Sequence, residues 1–164
     1  MSLIYIAASW REVERARAAC EALRGVGHDV WAFWEKPPRP LASEIEAFER
    51  TDADDPAATV RYLRLHRAKL DCLLAIRESD LVVLVEPAGN DAHYEAGFAL
   101  AEDVSVLRFG RGRPGLMTFD APVAEAGDLN DLVALAGILI GRAARPRELA
   151  PAPAAPAAES EVPA

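Results

Sequence analysis

Between Ser79 and Ala99 the chain runs from an unbroken apolar stretch, through a polar turn, into a helix that carries an acid. That order constrains the fold more than any other feature. Leu81 to Val85 is apolar at every position, without the in–out alternation of a strand wetted on one side. Such runs belong to parallel strands covered on both faces. Asn90 or Asp91 is placed to cap the next helix by accepting a hydrogen bond from a free backbone N–H. Glu95 then falls about one turn in, near the carboxyl edge of the sheet, where open α/β folds hold their ligands. The helix dipole favours the charged form of a carboxyl there, leaving it available as a nucleophile or base. The alternative is an acid that serves helix stability alone.

The remaining periodicities repeat the same unit. Leu3 to Ala8 reads as a first strand, and Arg11 to Val26 as an amphipathic helix with Val13, Ala16, Cys20 and Leu23 at helical spacing. Gly25 or Gly27 suits its end. Asp29 to Trp34 is rich in β-branched and aromatic residues and reads as the second strand. Glu35 to Arg39, with Pro37, Pro38 and the adjoining Pro40, is a loop. Leu41 to Pro56 is acidic and reads as an excursion over the site, with Asp52, Asp54 and Asp55 as either a functional cluster or a solvated face.

Ala57 to Glu78 reads as a long helix with Val60, Leu63, Leu65, Leu70, Leu73, Leu74 and Ile76 as candidate core positions. Asp91 to Glu102 is the helix bearing Glu95, Val104 to Phe109 the fourth strand, and Gly110 to Gly115 a turn. Leu116 to Phe119 is a candidate fifth strand and Leu129 to Arg142 a closing helix. Strands alternating with helices imply an α/β fold: a doubly wound, flavodoxin-like parallel sheet of four to five strands, in the order 2-1-3-4-5. Residues 1–142 form the single expected domain, and 143–164 an Ala/Pro-rich tail with little reason to pack.

Composition excludes several classes. No run approaches the length of a membrane span, and Met1 to Ala8 is too short, and lacks the basic start, for a secretory signal. Cys20 and Cys72 have no metal spacing and read as free buried thiols in a reducing compartment, with cytoplasm the expected location. A net charge of -8, without a basic stripe, argues against long nucleic acid as partner. A single nucleotide needs only a few donors and stays possible.

Three blocks resemble one known family. Gly89-Asn90-Asp91-Ala92-His93-Tyr94-Glu95-Ala96-Gly97, within Asp80 to Ala99, resembles the nucleophile motif of the nucleoside 2-deoxyribosyltransferase-like superfamily. Ile4 to Arg11 is similar to that family's opening strand and first loop, and Gly27 to Trp34 to its second strand. The likeness runs from about residue 3 to residue 140, in order and spacing. It implies the same fold, and a glutamate that attacks the anomeric carbon of a nucleoside or nucleotide without metal or organic cofactor.

On that resemblance Glu95 is the nucleophile and Tyr5 the tyrosine beside it. A retaining enzyme of this kind forms a glycosyl ester, resolved by water in a hydrolase or by another base in a transferase. The family's base-contacting aspartate corresponds to Asp71, although the usual spacing falls on Cys72; one residue turns a helical side chain by about 100°. The Gly89-Asn90-Asp91 turn is expected to meet the sugar hydroxyls or a 5′-phosphate. Asp91, where related sequences often have serine, would repel a phosphate and favours a nucleoside, unless it serves only as a cap.

Ser9, Trp10 and Arg11 form the first loop. Trp10 can stack on a base and Arg11 pair with an anion, or they are hydrophobic cover and a solvated helix start. His93 is either a packed or capping histidine or a second catalytic group. Arg111 and Arg113 are turn residues or anion contacts to a neighbouring subunit. The resemblance also implies a homo-oligomer, with Met117 near the contact that completes each site. Two alternatives stay open: a sensor of a nucleotide-derived ligand that no longer turns it over, and a Toll/interleukin-receptor-like domain that cleaves NAD.

Overall fold

The computed structural model describes residues 2–35, 56–111 and 123–143, with the backbone alone over 56–65. Five strands form one parallel sheet: β1 (Leu3–Ala8), β2 (Asp29–Ala32), β3 (Leu81–Val85), β4 (Ser105–Phe109) and β5 (Ala124–Ala126), in the order β2-β1-β3-β4-β5. The helices are α1 (Val13–Gly25), α2 (Pro56–Glu78), α3 (Asn90–Ala101) and α4 (Leu129–Ala143). Short 3₁₀ turns cover Trp10–Glu12 and Phe33–Glu35. The second strand therefore stops two residues short of the expected Trp34. The fifth strand is Ala124–Ala126, whereas the expected strand at 116–119 lies outside the described residues, as do the 41–55 excursion and the 144–164 tail.

The two faces of the sheet divide the core. Ile4 and Ile6 of β1, with Leu81, Val83 and Val85 of β3, pack against Leu23 of α1 and Leu132 of α4. The alternate residues Tyr5 and Ala7, with Val82 and Leu84, pack against Cys72 and Ile76 of α2 and Ala92, Ala96 and Ala99 of α3. Every residue of β3 is fully buried, which is why its sequence carries no alternation. Each such side chain contributes roughly 1.5–3 kcal/mol of burial. The alanines of α3 let that helix lie close over the sheet.

The long helix corrects one expectation. Leu70 and Leu74 are exposed, at 43% and 53%, and among the described side chains of α2 the buried ones are Cys72, Ala75 and Ile76. The side chains of Val60, Leu63 and Leu65 lie outside the described residues. Apolar residues occur nearly all round α2, so periodicity alone does not single out the buried face. Among the described residues no helix is long and apolar enough to cross a membrane.

The order β2-β1-β3 makes the chain reverse direction across the sheet between β1 and β3. α1 lies on one face, and α2 and α3 on the other. The carboxyl ends of β1 and β3 therefore flank the topological switch point, where folds of this kind hold their ligands.

Candidate functional site

Glu95 stands at this switch point. β3 ends at Val85, and the turn Glu86-Pro87-Ala88-Gly89 leads into α3. A buried ion pair braces the turn. Glu86, 1% exposed, receives Arg108 Nε at 3.3 Å and the Ala88 N–H at 2.7 Å, and Arg108 Nη1 also reaches Glu125 at 2.5 Å. The Glu86 carbonyl accepts from Arg15. Gly110, at φ +96°, passes so close that a Cβ there would lie 3.0 Å from this carbonyl oxygen, so only glycine fits.

The expected cap is not made by Asn90 or Asp91. Gly89 is the N-cap residue, in extended conformation and without a side-chain hydrogen bond. Its carbonyl accepts from the His93 N–H at 3.1 Å. Asn90 and Asp91 are already helical, so their side chains point outward from the first turn and both are exposed. Glu95 follows Asp91 by four residues and shares its helix face.

The carboxyl group of Glu95 has the hydroxyl of Tyr5 and the thiol of Cys72 for neighbours. Burial pushes its pKa up to about 7, the Tyr5 hydroxyl draws it partly back, and the Asp91 charge raises it further. Against the helix dipole, which was expected to favour the charged form, stands this desolvation. Glu95 is the sixth residue of α3, and the dipole fades within the first turn, whereas desolvation acts at full strength. Glu95 as a residue is nonetheless only half-buried and has no ion pair among the described residues.

Tyr5 is fully buried, yet its Oη has no hydrogen-bond partner of good geometry. Glu95 and Cys72 lie near enough to act on its titration; burial, followed by these two, raises its pKa well above the ordinary value. Burial likewise pushes the Cys72 thiol up to about 12. The Tyr5 ring stacks on Trp31 with centroids 4.9 Å apart.

Cys72, rather than Asp71, faces this cluster. α2 is a continuous helix through these residues, so Asp71 turns aside and pairs with Arg67 at 3.1 Å. Asp71 is therefore not brought to Glu95. The two loops do meet at Ser9 and Gly89: a Cβ on Gly89 would lie 3.9 Å from Ser9 Oγ. Ser9 Oγ accepts from the Arg11 N–H at 3.3 Å and caps the 3₁₀ turn. Trp10, 37% exposed, packs edge-on against Phe33 at 4.6 Å, and Arg11 is exposed. His93 carries a buried Nδ1 with no hydrogen-bond partner. Met117 and Arg113 lie outside the described residues; Arg111 is exposed.

Glu86 and Arg108 were not singled out by sequence; Cys72 was marked there only as a buried thiol and as the position on which the family's aspartate spacing falls. One signal was available: Arg108 interrupts the apolar run Val106–Phe109, and a cation there requires a buried partner. Two clefts, of about 520 and 230 Å³, open at the amino ends of β1 and β2 and along α1. Neither includes Tyr5 or Glu95, and the switch-point chemistry, not cleft size, locates the candidate site.

No family model matches the chain, and no curated protein matches it. Among solved structures, a 2-deoxyribosyltransferase from Bacillus psychrosaccharolyticus is 17% identical, covering 80% of this chain and 90% of that one, with a TM-score of 0.54. A CMP N-glycosidase from Clostridium botulinum is 14% identical over 83% of this chain and 98% of that one, with a TM-score of 0.45. The first of these likenesses confirms the fold: an α/β protein built on a single five-stranded parallel sheet.

Proposed function

We propose that the protein cleaves or transfers the N-glycosidic bond of a nucleoside or nucleotide, with Glu95 as nucleophile. The observation that carries this reading is the position of Glu95. It is a half-buried residue whose carboxyl is largely desolvated and has no ion pair among the described residues, at the sheet's switch point, beside a buried tyrosine hydroxyl that lacks a partner. The 2-deoxyribosyltransferase that shares the fold works on nucleosides by its description, which agrees with the motif around Glu95.

The bond-breaking step builds positive charge at C1′, and a carboxylate against that carbon stabilises it and then bonds to it. The Tyr5 hydroxyl beside the carboxyl is free to donate to one carboxylate oxygen once Glu95 ionises. With a pKa of about 7 the carboxyl is ionised in about half the molecules at neutral pH. Ser9 and Gly89 line the place of the sugar hydroxyls, Trp10 offers a ring to the base, and Arg11 lies at the rim. Asp91 repels a phosphate, which favours nucleosides over 5′-monophosphates. A homo-oligomer with Met117 at its contact and a cytoplasmic setting belong to the same proposal.

The test is incubation with a panel of nucleosides, 5′-monophosphates and NAD, with and without acceptor bases, followed by chromatography. Released base or exchanged nucleoside that disappears in Glu95→Ala supports the enzyme. Tight binding without turnover would support a ligand sensor instead, the reading favoured by the displacement of Asp71 from the cluster.

A further inference from the structure

We propose that Glu86 is a positioning residue for Glu95: held by Arg108, it fixes where α3 begins and so which way the nucleophile faces. The proposal rests on the reading of Glu95 as nucleophile given above. All four polar groups of Glu86 are engaged. Its N–H donates to the Phe109 carbonyl at 2.8 Å, and its carbonyl accepts from Arg15. One carboxylate oxygen accepts from Arg108 Nε at 3.3 Å, and the other from the Ala88 N–H at 2.7 Å. Ala88 stands directly before the N-cap residue Gly89, so this last contact grips the chain just ahead of the helix.

α3 has little else to fix its start. Gly89 caps it without a side-chain hydrogen bond. The buried face of the helix is Ala92, Ala96, Gly97 and Ala99. Such small groups form shallow ridges, and packing alone keys the rotation of the helix weakly. Glu95 is the sixth residue, and each residue of slip at the start turns it by about 100°. A hydrogen bond to a charged carboxylate supplies the direction that smooth packing lacks.

Arg108 carries this grip across the sheet. It stands on β4, paired with Leu84 of β3 and Glu125 of β5. Its side chain is buried beside Glu86 and also reaches the exposed Glu125 at 2.5 Å. From α1, Arg15 holds the Glu86 carbonyl. The turn that leads to Gly89, and to its approach to Ser9, is thus tied to three strands and a helix. A buried ion pair adds little net stability over apolar packing, because desolvating both charges offsets their attraction. Its contribution here is orientation.

The experiment follows the Glu95 carboxyl itself, by NMR titration of protein with isotope-labelled glutamate, the signal being assigned by its absence in Glu95→Gln. The test variants are Glu86→Gln, which loses the ion pair, and Arg108→Lys, which keeps the charge but not the planar fork. Arg77→Gln is the control, breaking the pair with Glu102 at the far end of α3. In both test variants the Glu95 midpoint should fall from about 7 to about 6 or below, as the carboxyl turns out of its enclosed place. In Arg77→Gln it should stay. At pH 8.5, with Glu95 ionised, kcat for base release should fall about tenfold or more in both, with KM changed about twofold or less. Urea unfolding shows which variants are folded. Should a test variant not fold, Glu86→Gln with Arg108→Gln, which leaves no buried charge unanswered, replaces it. An unchanged titration, an equal shift in Arg77→Gln, or an unchanged kcat would overturn the proposal. So would a shift in Glu86→Gln alone, which reports only the loss of a nearby negative charge. A parent that releases no base removes the glycosidase reading, and the titration by itself then decides whether Glu86 orients Glu95.

Discussion

Tyr5 and Glu95 meet at the switch point of the sheet, one from the buried floor of β1 and one from the second turn of α3. The hydroxyl is fully enclosed and unpartnered, while Glu95 as a residue is only half-buried. Desolvation lifts the carboxyl to about 7 and the hydroxyl opposes that shift. Two buried polar groups that cost stability on their own together make a carboxyl that titrates at neutral pH.

The cost should be measurable. A carboxyl whose pKa is raised on folding stabilises the folded state most below its unfolded pKa, and that contribution is lost as pH rises through about 7. Glu95→Gln, which cannot ionise, should therefore be more stable than the parent at pH 8.5, by up to about 3 kcal/mol. The difference should disappear below about pH 4.5, the ordinary carboxyl value. Urea unfolding at the two pH values checks it.

Tyr5→Phe and Asp91→Asn should move the activity profile in opposite directions. Base release requires ionised Glu95, so its acid limb follows that pKa. Removing the hydroxyl takes away a lowering influence and shifts the limb above 7, with several-fold loss at pH 7 and recovery towards pH 9. Removing the Asp91 charge shifts it below 7. Tyr5→Phe should lower stability at pH 8.5, where the hydroxyl no longer supports the ionised carboxyl, and change it little near pH 4.5, where Glu95 is protonated. A pH–rate series on the three proteins measures both shifts.

Arg108→Leu should destabilise the fold by about 3–5 kcal/mol, since it leaves Glu86 buried without its cation. Adding Glu86→Gln to it should restore part of the loss. Denaturant midpoints of the single and double variants form the measurement.

Both cysteines should resist alkylation in the native protein. Burial raises Cys20 to about 11 and Cys72 to about 12, so little thiolate forms at pH 8. Iodoacetamide followed by mass spectrometry should find both unmodified when folded and both modified in urea.

β1 and β3 could be read to the residue because burial on both faces leaves an uninterrupted apolar signature. The sheet order was legible from the alternation of strands and helices. β5 was not: Ala-Glu-Ala has neither length nor β-branching, and it is a strand because it pairs with β4. The exposed Leu70 and Leu74 could not be told from buried neighbours by spacing alone. The cap went to Gly89 because the backbone turned one residue earlier than side-chain preference indicates. The charge state of Glu95 and the Glu86–Arg108 pair depend on burial and on contacts across 22 residues, which no local pattern encodes.

The most direct measurement is the covalent one. Incubation with 2′-fluoro-substituted nucleosides slows breakdown of any glycosyl ester, so that digestion and mass spectrometry can locate it. The account predicts a fluoroglycosyl group on the peptide at Glu95, absent in Glu95→Gln. Base release that continues unchanged in Glu95→Gln, or a glycosyl group on another residue, would contradict it.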